Sequence, residues 1–223
     1  ILQVVGSGDR IRIEGGIGIH RDGHDYRIEE VRFADGTAWS YAAMRALALA
    51  PTTGDDVIYG AFAWNNLLTG GAGNDTLHYG TSLEYAVSDD VFEGGTGNDW
   101  MRGGRGNDTY RFSAGFGRDT IDEGAVWRGM GTDTIEFDST ISRAQLRFFV
   151  NGADLIIRIH GTEDEITVAN GATNADYRIE NARFADGTVM TFAEMIAAAT
   201  TGTGRSRVEV VGNAGDDTLA VQN

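Results

Sequence analysis

Single large apolar residues recur along the middle of the chain, each two positions after the second member of a polar pair that ends in aspartate or asparagine. They are Ile58, Leu68, Leu77, Phe92, Met101, Tyr110, Ile121 and Ile135. One inward-facing apolar side chain per short segment can build only a narrow core, because the residues on either side of it face the other way. The pattern therefore predicts a coil of short strands with one stack of apolar side chains inside.

The ends of the chain have a different pattern. Residues 145–150, 154–159 and 165–168 alternate apolar and polar positions, which predicts strands, with a turn at Asn151-Gly152. Residues 178–184 predict a fourth strand, and Thr191 with Glu194 predicts a capped helix to about Ala199. The phrase at residues 25–37 returns at 176–188, and a helix at 41–49, ended by Pro51, follows the first copy.

Glycine-rich turns precede several of the polar pairs. Residues 70–75 (GGAGND), 94–99 (GGTGND) and 103–108 (GGRGND) each open a nine-residue unit, and the last two units are in tandem. Glycine permits positive φ angles and close backbone approach, and aspartate supplies a hard oxygen ligand. Metal-free hairpin turns are the alternative interpretation, but stacked turns would then bring carboxylates close together without a counter-ion.

Composition excludes several classes of partner and chemistry. The formal net charge of −15 disfavours nucleic acid and anionic lipid. There is no cysteine, and every basic residue is arginine, so disulfides and lysine-dependent chemistry are absent. No apolar run reaches the roughly 18–20 residues of a membrane span. The four histidines lack metal-ligand spacing and no G-x-S-x-G motif occurs, so we expect no enzymatic activity within this sequence.

The nonapeptide resembles the calcium-binding repeat of the RTX (repeats-in-toxin) proteins. The repeated "FADGT" phrase with its following helix resembles the haemolysin-type calcium-binding-related domain. Together these resemblances imply an all-β fold, a calcium-binding parallel β-roll flanked by small β-rich capping modules that each end in a short α-helix. The predicted layout is a truncated related module at 1–50, the roll at 54–137, a second related module at 138–200 and the start of another repeat block at 208–223. Because residue 1 falls in mid-module, we expect a fragment of a longer protein.

The RTX resemblance also implies the ligands. Turns 18 residues apart would hold an ion, with backbone carbonyls from positions 1–4 and side chains from positions 5 and 6, giving several bound Ca²⁺ ions. The predicted metal residues are Asp55, Asp56, Asn66, Gly70, Gly71, Ala72, Gly73, Asn74, Asp75, Asp89, Asp90, Gly94, Gly95, Thr96, Gly97, Asn98, Asp99, Gly103, Gly104, Arg105, Gly106, Asn107, Asp108, Gly117, Asp119, Asp133, Asp216 and Asp217.

Four departures from the repeat lead to further expectations. Trp64 replaces a glycine, and six extra residues between Asp75 and Asp90 predict a bulged loop around residues 79–84. The turn before Asp90 lacks glycines, and the cationic Arg118 at a ligand position predicts that the roll frays there. We expect the strongest sites at Asp75, Asp99 and Asp108, and weak ones near Asp133.

The resemblance implies a structural, calcium-responsive role in a secreted bacterial protein. Such a chain would leave the cell unfolded through the type I secretion machinery and fold in extracellular calcium. Two alternatives remain open. One is an adhesin or surface-layer segment that binds surface glycans or neighbouring repeats, and the other is an accessory module of a secreted enzyme whose catalytic domain lies elsewhere.

Overall fold

The computed structural model describes residues 2–3, 10–11, 28–48, 50–60, 65–79, 87–124 and 131–201. Its strands are β1 (Leu2–Gln3), β2 (Arg10–Ile11), β3 (Glu30–Arg32), β4 (Ala38–Ser40), β5 (Val57–Tyr59), β6 (Leu67–Ala72), β7 (Thr76–His78), β8 (Val91–Thr96), β9 (Trp100–Arg102), β10 (Thr109–Phe112), β11 (Arg118–Ile121), β12 (Thr134–Phe137), β13 (Leu146–Asn151), β14 (Asp154–Ile159), β15 (Glu165–Val168), β16 (Asn181–Phe184), β17 (Val189–Thr191) and β18 (Thr200–Thr201). The described helices are α1 (Tyr41–Ala48), α2 (Phe192–Ala198) and the short 3-10 helices Arg143–Gln145 and Ala175–Tyr177.

From β5 to β12 the chain alternates between two sheets. Strands β5, β7, β9 and β11 are neighbours in one sheet, and β6, β8, β10 and β12 are neighbours in the other. Every one of these neighbouring pairs is parallel. Two strands and two turns thus complete one winding, and we call the described residues between 50 and 137 the coil. The predicted all-β fold with parallel sheets is confirmed.

The apolar stack lies between the two sheets. In register, Ile58, Leu77, Met101 and Ile121 stand side by side in one sheet, and Leu68, Phe92, Tyr110 and Ile135 stand side by side in the other. None of these eight side chains is more than 5% exposed. The parallel register aligns equivalent residues of successive windings, so the spacing of the apolar residues predicted the core correctly.

The windings differ in length. Asp90 and Asp108 are 18 residues apart, as the repeat predicts. Asp75 and Asp99 are 24 residues apart, six more than 18, although their strands remain in register. The predicted extra residues are therefore accommodated without breaking the ladder. Trp64 and residues 80–86, where the bulge is expected, lie outside the described residues.

Arg118 does not fray the coil, so that expectation is wrong. Strand β11 begins at Arg118 and is paired in parallel with β9 on one side and β15 on the other. The Arg118 side chain is about half exposed and pairs with Glu163. The cation leaves the ladder intact because it points outward to a carboxylate.

The C-terminal module, predicted at residues 138–200, has the expected elements. Strands β13 and β14 form an antiparallel hairpin and β15 pairs with β14, close to the predicted bounds. Helix α2 begins after Thr191, whose hydroxyl accepts from the Glu194 N–H while the Glu194 carboxylate accepts from the Thr191 N–H. The predicted capping box is confirmed.

The sheets of the coil continue into this module. Strand β15 pairs in parallel with β11, and β16 pairs in parallel with β12. The boundary at residue 137 therefore stays a prediction, and the hydrogen-bonded ladders run across it.

The N-terminal copy is described in part. Strands β3 and β4 form an antiparallel pair, followed by α1, where the Ser40 hydroxyl accepts from the Ala43 N–H. The rest of its predicted strands lie outside the described residues. Neither described α-helix has the length and apolar character needed to cross a membrane.

Candidate metal centres

The turns of the coil lie in two columns, one at each edge, because alternate turns fall at the same edge of a two-strand winding. The first turn stack contains the turns that end at Asp56, Asp75, Asp99 and Asp119. The second turn stack contains those that end at Asn66, Asp90, Asp108 and Asp133. Both stacks are defined by the parallel pairing of the strands that follow each turn.

A ladder of carboxylates runs through each stack. The Asp99 Oδ1 accepts a hydrogen bond from the Asp75 N–H at 2.8 Å, and the Asp108 Oδ1 accepts from the Asp90 N–H at 2.8 Å. The same bond links Asp56 to Asp75, Asp99 to Asp119, Asn66 to Asp90, and Asp108 to Asp133. Each turn is thereby fixed to the next at the spacing of neighbouring strands, about 4.8 Å.

The second oxygen of these carboxylates is left without a protein partner. The orphaned atoms are the Oδ2 atoms of Asp75, Asp99, Asp108 and Asp119, all of them buried. An isolated buried carboxylate oxygen is costly unless a cation or a donor compensates it. Because these oxygens repeat in register, the donor set fits a row of oxygen-preferring cations such as Ca²⁺.

We call the glycine-rich turns at residues 70–75, 94–99 and 103–108 the regular turns. The first glycine of each leaves open the space that these oxygens face. A Cβ built on Gly70 would clash with the Asp75 carboxylate and lie 2.5 Å from the carbonyl oxygen of Gly94. Cβ atoms on Gly94 and Gly103 would likewise clash with the carboxylates of Asp99 and Asp108. The sequence needs glycine here because carboxylate and carbonyl oxygens converge on the position of a side chain.

The glycines at the second and fourth positions of the turns allow the turns to stack closely. Gly71 has a φ of +103°, and its Cβ would lie 2.6 Å from the carbonyl oxygen of Thr52. Gly97 has a φ of +147°, and its Cβ would clash with the Gly73 carbonyl. Both the backbone angle and the close approach therefore require glycine. As a result, carbonyl oxygens of one turn face the next.

The fifth position of the turns forms a separate outer ladder. The Asn74 Oδ1 accepts from the Asn98 N–H at 3.0 Å, and the Asp89 Oδ1 accepts from the Asn107 N–H at 2.7 Å. The side chains at this position are exposed, unlike the buried carboxylates at the sixth. The oxygens that the structure places at the interior belong to the sixth position, and ligation by the fifth stays a prediction.

Burial raises the pKa of the inner carboxylates. The pKa is about 6 for Asp99 and about 8 for Asp108 and Asp119, in each case chiefly through desolvation. The pKa values of Asp75 and Asp90 are also raised by burial. Neighbouring carboxylates of the same stack add to the effect. These groups resist carrying negative charge alone, which is the electrostatic condition for binding a cation.

The irregular turns differ from the glycine-rich ones. The Ser88 hydroxyl donates to the Asp90 Oδ2 at 3.0 Å, and Thr52 donates to the Asp56 Oδ2 from both its N–H and its hydroxyl. The Asn66 side-chain amide donates to Asp90. A protein donor thus occupies the oxygen that the regular turns leave free.

The remaining predicted residues divide into three groups. Ala72, Thr96 and Arg105 occupy the third position of their turns, as predicted, and Gly117 donates from its N–H to Asp164. Asp133 accepts from the Asp108 N–H as a member of the second ladder, but neither of its oxygens is among the buried unpartnered ones, and the weaker binding expected there stays a prediction. Asp216 and Asp217 lie outside the described residues.

Three acidic residues of the stacks were missed from the sequence. Asp164 accepts from the N–H groups of Gly115 and Gly117 at the end of the first stack, and Glu180 accepts from the Asp133 N–H at the end of the second. Glu123 is buried beside Asp108 and Asp133. None belongs to a glycine-rich turn, so the motif could not identify them. The available signal for Glu123 was its place two residues after Ile121, where Gly103 follows Met101.

Family comparisons agree with both resemblances. The haemolysin-type calcium binding protein related domain matches residues 1–43 and 154–194. The RTX calcium-binding nonapeptide repeat, a model of four copies, matches residues 65–81 and 88–121. No curated protein matches the chain. The second related-domain match includes Asp164 and Glu180, and the repeat match includes the ladder from Asp75 to Asp119. The chain therefore carries RTX calcium-binding nonapeptide repeats between two segments similar to the haemolysin-type calcium-binding related domain.

Proposed function

We propose that this chain is a calcium-dependent folding module of a larger secreted bacterial protein, with a structural rather than a catalytic role. In this proposal the coil is disordered without Ca²⁺ and becomes ordered when the ion binds. The observation that carries it is the row of buried carboxylate oxygens that have no protein partner.

The narrow core makes calcium necessary for order. Each strand of the coil contributes one member of the central apolar stack, while each regular turn buries a carboxylate. Without cations, the carboxylates would lie one strand spacing apart, and their repulsion in a poorly solvated setting would oppose folding. Ion binding removes that repulsion, so its free energy becomes folding free energy.

Export is the setting that gives such a switch its use. Extracellular calcium modules bind at roughly 10⁻⁴–10⁻³ M, which would leave the coil unfolded in a calcium-poor cytosol and folded outside the cell. An unfolded chain is what passage through the type I secretion machinery requires. With no cysteine in the chain, bound ions would also take the place of disulfides as cross-links.

Far-ultraviolet circular dichroism, titrated with Ca²⁺ and separately with Mg²⁺ from an EDTA-treated sample, tests the proposal. We expect a cooperative gain of β signal with Ca²⁺ alone, because Mg²⁺ demands a stricter geometry and keeps its waters. A fully folded spectrum in EDTA that calcium leaves unchanged would contradict it.

The adhesin and accessory-module roles use the same coil and differ in what the rest of the protein does. A groove on the C-terminal module is lined by Arg118, Arg143, Arg147 and Arg158. Each arginine already contacts a carboxylate or a backbone carbonyl. The groove therefore gives no support for an anionic glycan over the folding role. A glycan array probed with the calcium-loaded protein tests that alternative directly.

A further inference from the structure

Glu123 stands where the regular turns have glycine. Ile121 pairs with Met101, so Glu123 takes the place that Gly103 has one winding earlier. A side chain built on Gly103 would run into the Asp108 carboxylate and the Tyr110 hydroxyl. A residue with a side chain at this position is therefore directed into the space that the calcium-binding turns leave open.

The Glu123 carboxylate lies in a cluster of three. One ligand oxygen each from Asp108, Glu123 and Asp133 lies within 4.8 Å of the others, and all three residues are buried. Among the described residues, this is the one place where three acidic or histidine ligands converge so closely. The other inner carboxylates enter their stacks singly, one from each turn.

Two oxygens of the cluster are unpartnered. Glu123 is 2% exposed and Asp108 is fully buried, and neither the Glu123 Oε2 nor the Asp108 Oδ2 has a hydrogen-bond partner. The other Glu123 oxygen accepts from the Tyr110 hydroxyl, which fixes the orientation of the carboxylate. Asp108 is fixed by its bond to the Asp90 N–H, and Asp133 by its bond to the Asp108 N–H. The three carboxylates are held in place while two of their oxygens stay free.

We infer that Asp108, Glu123 and Asp133 form a calcium site of their own kind, in which a glutamate side chain enters through the position of the first glycine. Three hard anionic oxygens suit Ca²⁺, and the higher ligand charge makes this the tightest site of the coil. The inference rests on calcium binding by the coil, but not on export or on disorder of the metal-free chain.

Glu123→Gln in the full chain is the decisive variant. Glutamine keeps the size of the side chain and an acceptor for Tyr110, but it removes the charge. Replacing residues that merely orient metal ligands weakens metal binding about 10- to 100-fold, so loss of this ligand should cost at least about tenfold in the affinity of one site. Calorimetric titration with CaCl₂ should show the highest-affinity class reduced by one ion, and native mass spectrometry should count one ion fewer at limiting calcium.

Glu136→Gln is the matched control. Glu136 lies on strand β12 of the same coil, but its carboxylate faces outward to Arg111 and Arg183. We expect its calcium titration to match that of the unaltered protein. If both variants lost the same affinity, a general charge effect would explain the result and the site would be overturned.

A protonated Glu123 that only packs against Tyr110 is the opposing explanation. Glutamine imitates a neutral glutamic acid, so that case predicts unchanged calcium binding in Glu123→Gln and overturns the site. If the variant does not fold at any calcium concentration, Glu123→Asp keeps the charge. Recovery of calcium-bound protein with aspartate but not glutamine supports the site, and failure of both overturns it. An unaltered protein that binds calcium without a folding transition would contradict the proposed function and leave this site standing.

Discussion

The coil and the C-terminal module bury different kinds of side chain. The module packs side chains such as Leu155, Ile157 and Met195, which are fully buried, around an antiparallel hairpin and a capped helix. Its one buried acidic residue, Asp164, has both carboxylate oxygens hydrogen-bonded. The coil buries its central apolar stack, with Phe112, Phe116 and Phe137 near its C-terminal end, and, at its edges, carboxylates with free oxygens. Stability in the module thus comes from apolar burial, whereas the proposed function makes the stability of the coil depend on a bound cation.

The two regions are joined by the residues that end both ladders. Asp164 and Glu180 accept from backbone N–H groups of the last coil turns, and strands β15 and β16 extend the two sheets. Under the proposed function, the module would stay folded without metal and would provide the paired strands on which the coil becomes ordered when calcium binds. This arrangement also pairs the strand edges that an open coil would leave exposed.

Calcium removal should produce the largest difference in stability between the two regions. In EDTA we expect amides of strands β5 to β10 to exchange hydrogen freely, while those of the hairpin β13–β14 remain protected, because only the coil depends on ions. Hydrogen exchange with mass spectrometry, with and without Ca²⁺, measures this difference. Equal loss of protection in both regions would mean that they fold as one unit and would break the comparison.

A single methyl group at Gly97 should strongly shift the calcium midpoint of the coil. Gly97→Ala combines a φ of +147° with a clash against the Gly73 carbonyl, so adjacent turns must separate and the ion site between them opens. We expect calcium-induced folding to require at least about tenfold more calcium, which is about 1.4 kcal/mol. The transition measured by circular dichroism tests this expectation.

Gly187→Ala is the control for backbone strain alone. Gly187 also has a positive φ, +82°, but a Cβ there would meet no atom within 4 Å. We expect a cost of about 1–2 kcal/mol to the module and no change in the calcium midpoint of the coil. A matching shift in both variants would show that strain, and not the approach of the turns, explains the result.

Much of the coil could be predicted from the sequence because its repeat states the same local rule many times. The place of Leu77, Met101 and Tyr110 in the core followed from spacing alone, whereas the role of Asp99 as a ligand was implied by the RTX resemblance. The insertion near residue 80 was readable as a departure from that spacing. A short repeat with one apolar residue per strand leaves few alternative arrangements, which is why the pattern was sufficient.

The misses share a physical cause. Glu123, Asp164 and Glu180 reach the stacks through tertiary pairing across insertions, so no local motif surrounds them. Asp133 was ranked as weak because its turn is an isolated outlier beyond Arg118; the parallel register of β10 and β12 places it beside Asp108, and its calcium affinity stays a prediction. The fray expected at Arg118 assumed that the side chain faces the turn, whereas it pairs outward with Glu163.

Truncating the module's core should weaken it without regard to calcium. Met195 is fully buried on α2, so Met195→Ala should lower the free energy of unfolding by about 2–5 kcal/mol. Urea unfolding, monitored through hydrogen exchange of the amides in the β13–β14 hairpin, should show the same loss of unfolding free energy with Ca²⁺ and with EDTA. A loss that calcium largely restores would show that the module, too, depends on the ion.

The pH dependence of the metal-free coil follows from the raised pKa values. An aspartate ionises near pH 3.9 when unfolded, whereas the pKa is about 6 for Asp99 and about 8 for Asp119 in the folded coil. The folded state therefore binds more protons between these values, and the stability contribution is full below about pH 4 and is lost as pH rises toward 8.

We accordingly expect more β signal in EDTA at pH 5 than at pH 8, and tighter calcium binding at pH 8 because fewer protons compete. Circular dichroism and calcium titration at the two pH values measure both effects. A metal-free signal that increases with pH would contradict the assignment of the buried carboxylates.

The helix cap should give the smallest effect and the sharpest test of locality. Thr191 caps α2 by accepting from the Glu194 N–H, and the Glu194 carboxylate accepts from the Thr191 N–H. Thr191→Ala should cost the module about 1 kcal/mol, and Thr188→Ala, which removes an exposed hydroxyl bonded to Asp186 in the preceding turn, serves as the nearby comparison. Because Thr191 lies on β17, with β16 between it and coil strand β12, we expect no change in the calcium midpoint. A shifted midpoint would show that the end of α2 is coupled to the ion sites, and the division between an apolar module and a calcium-dependent coil would then have to be drawn elsewhere.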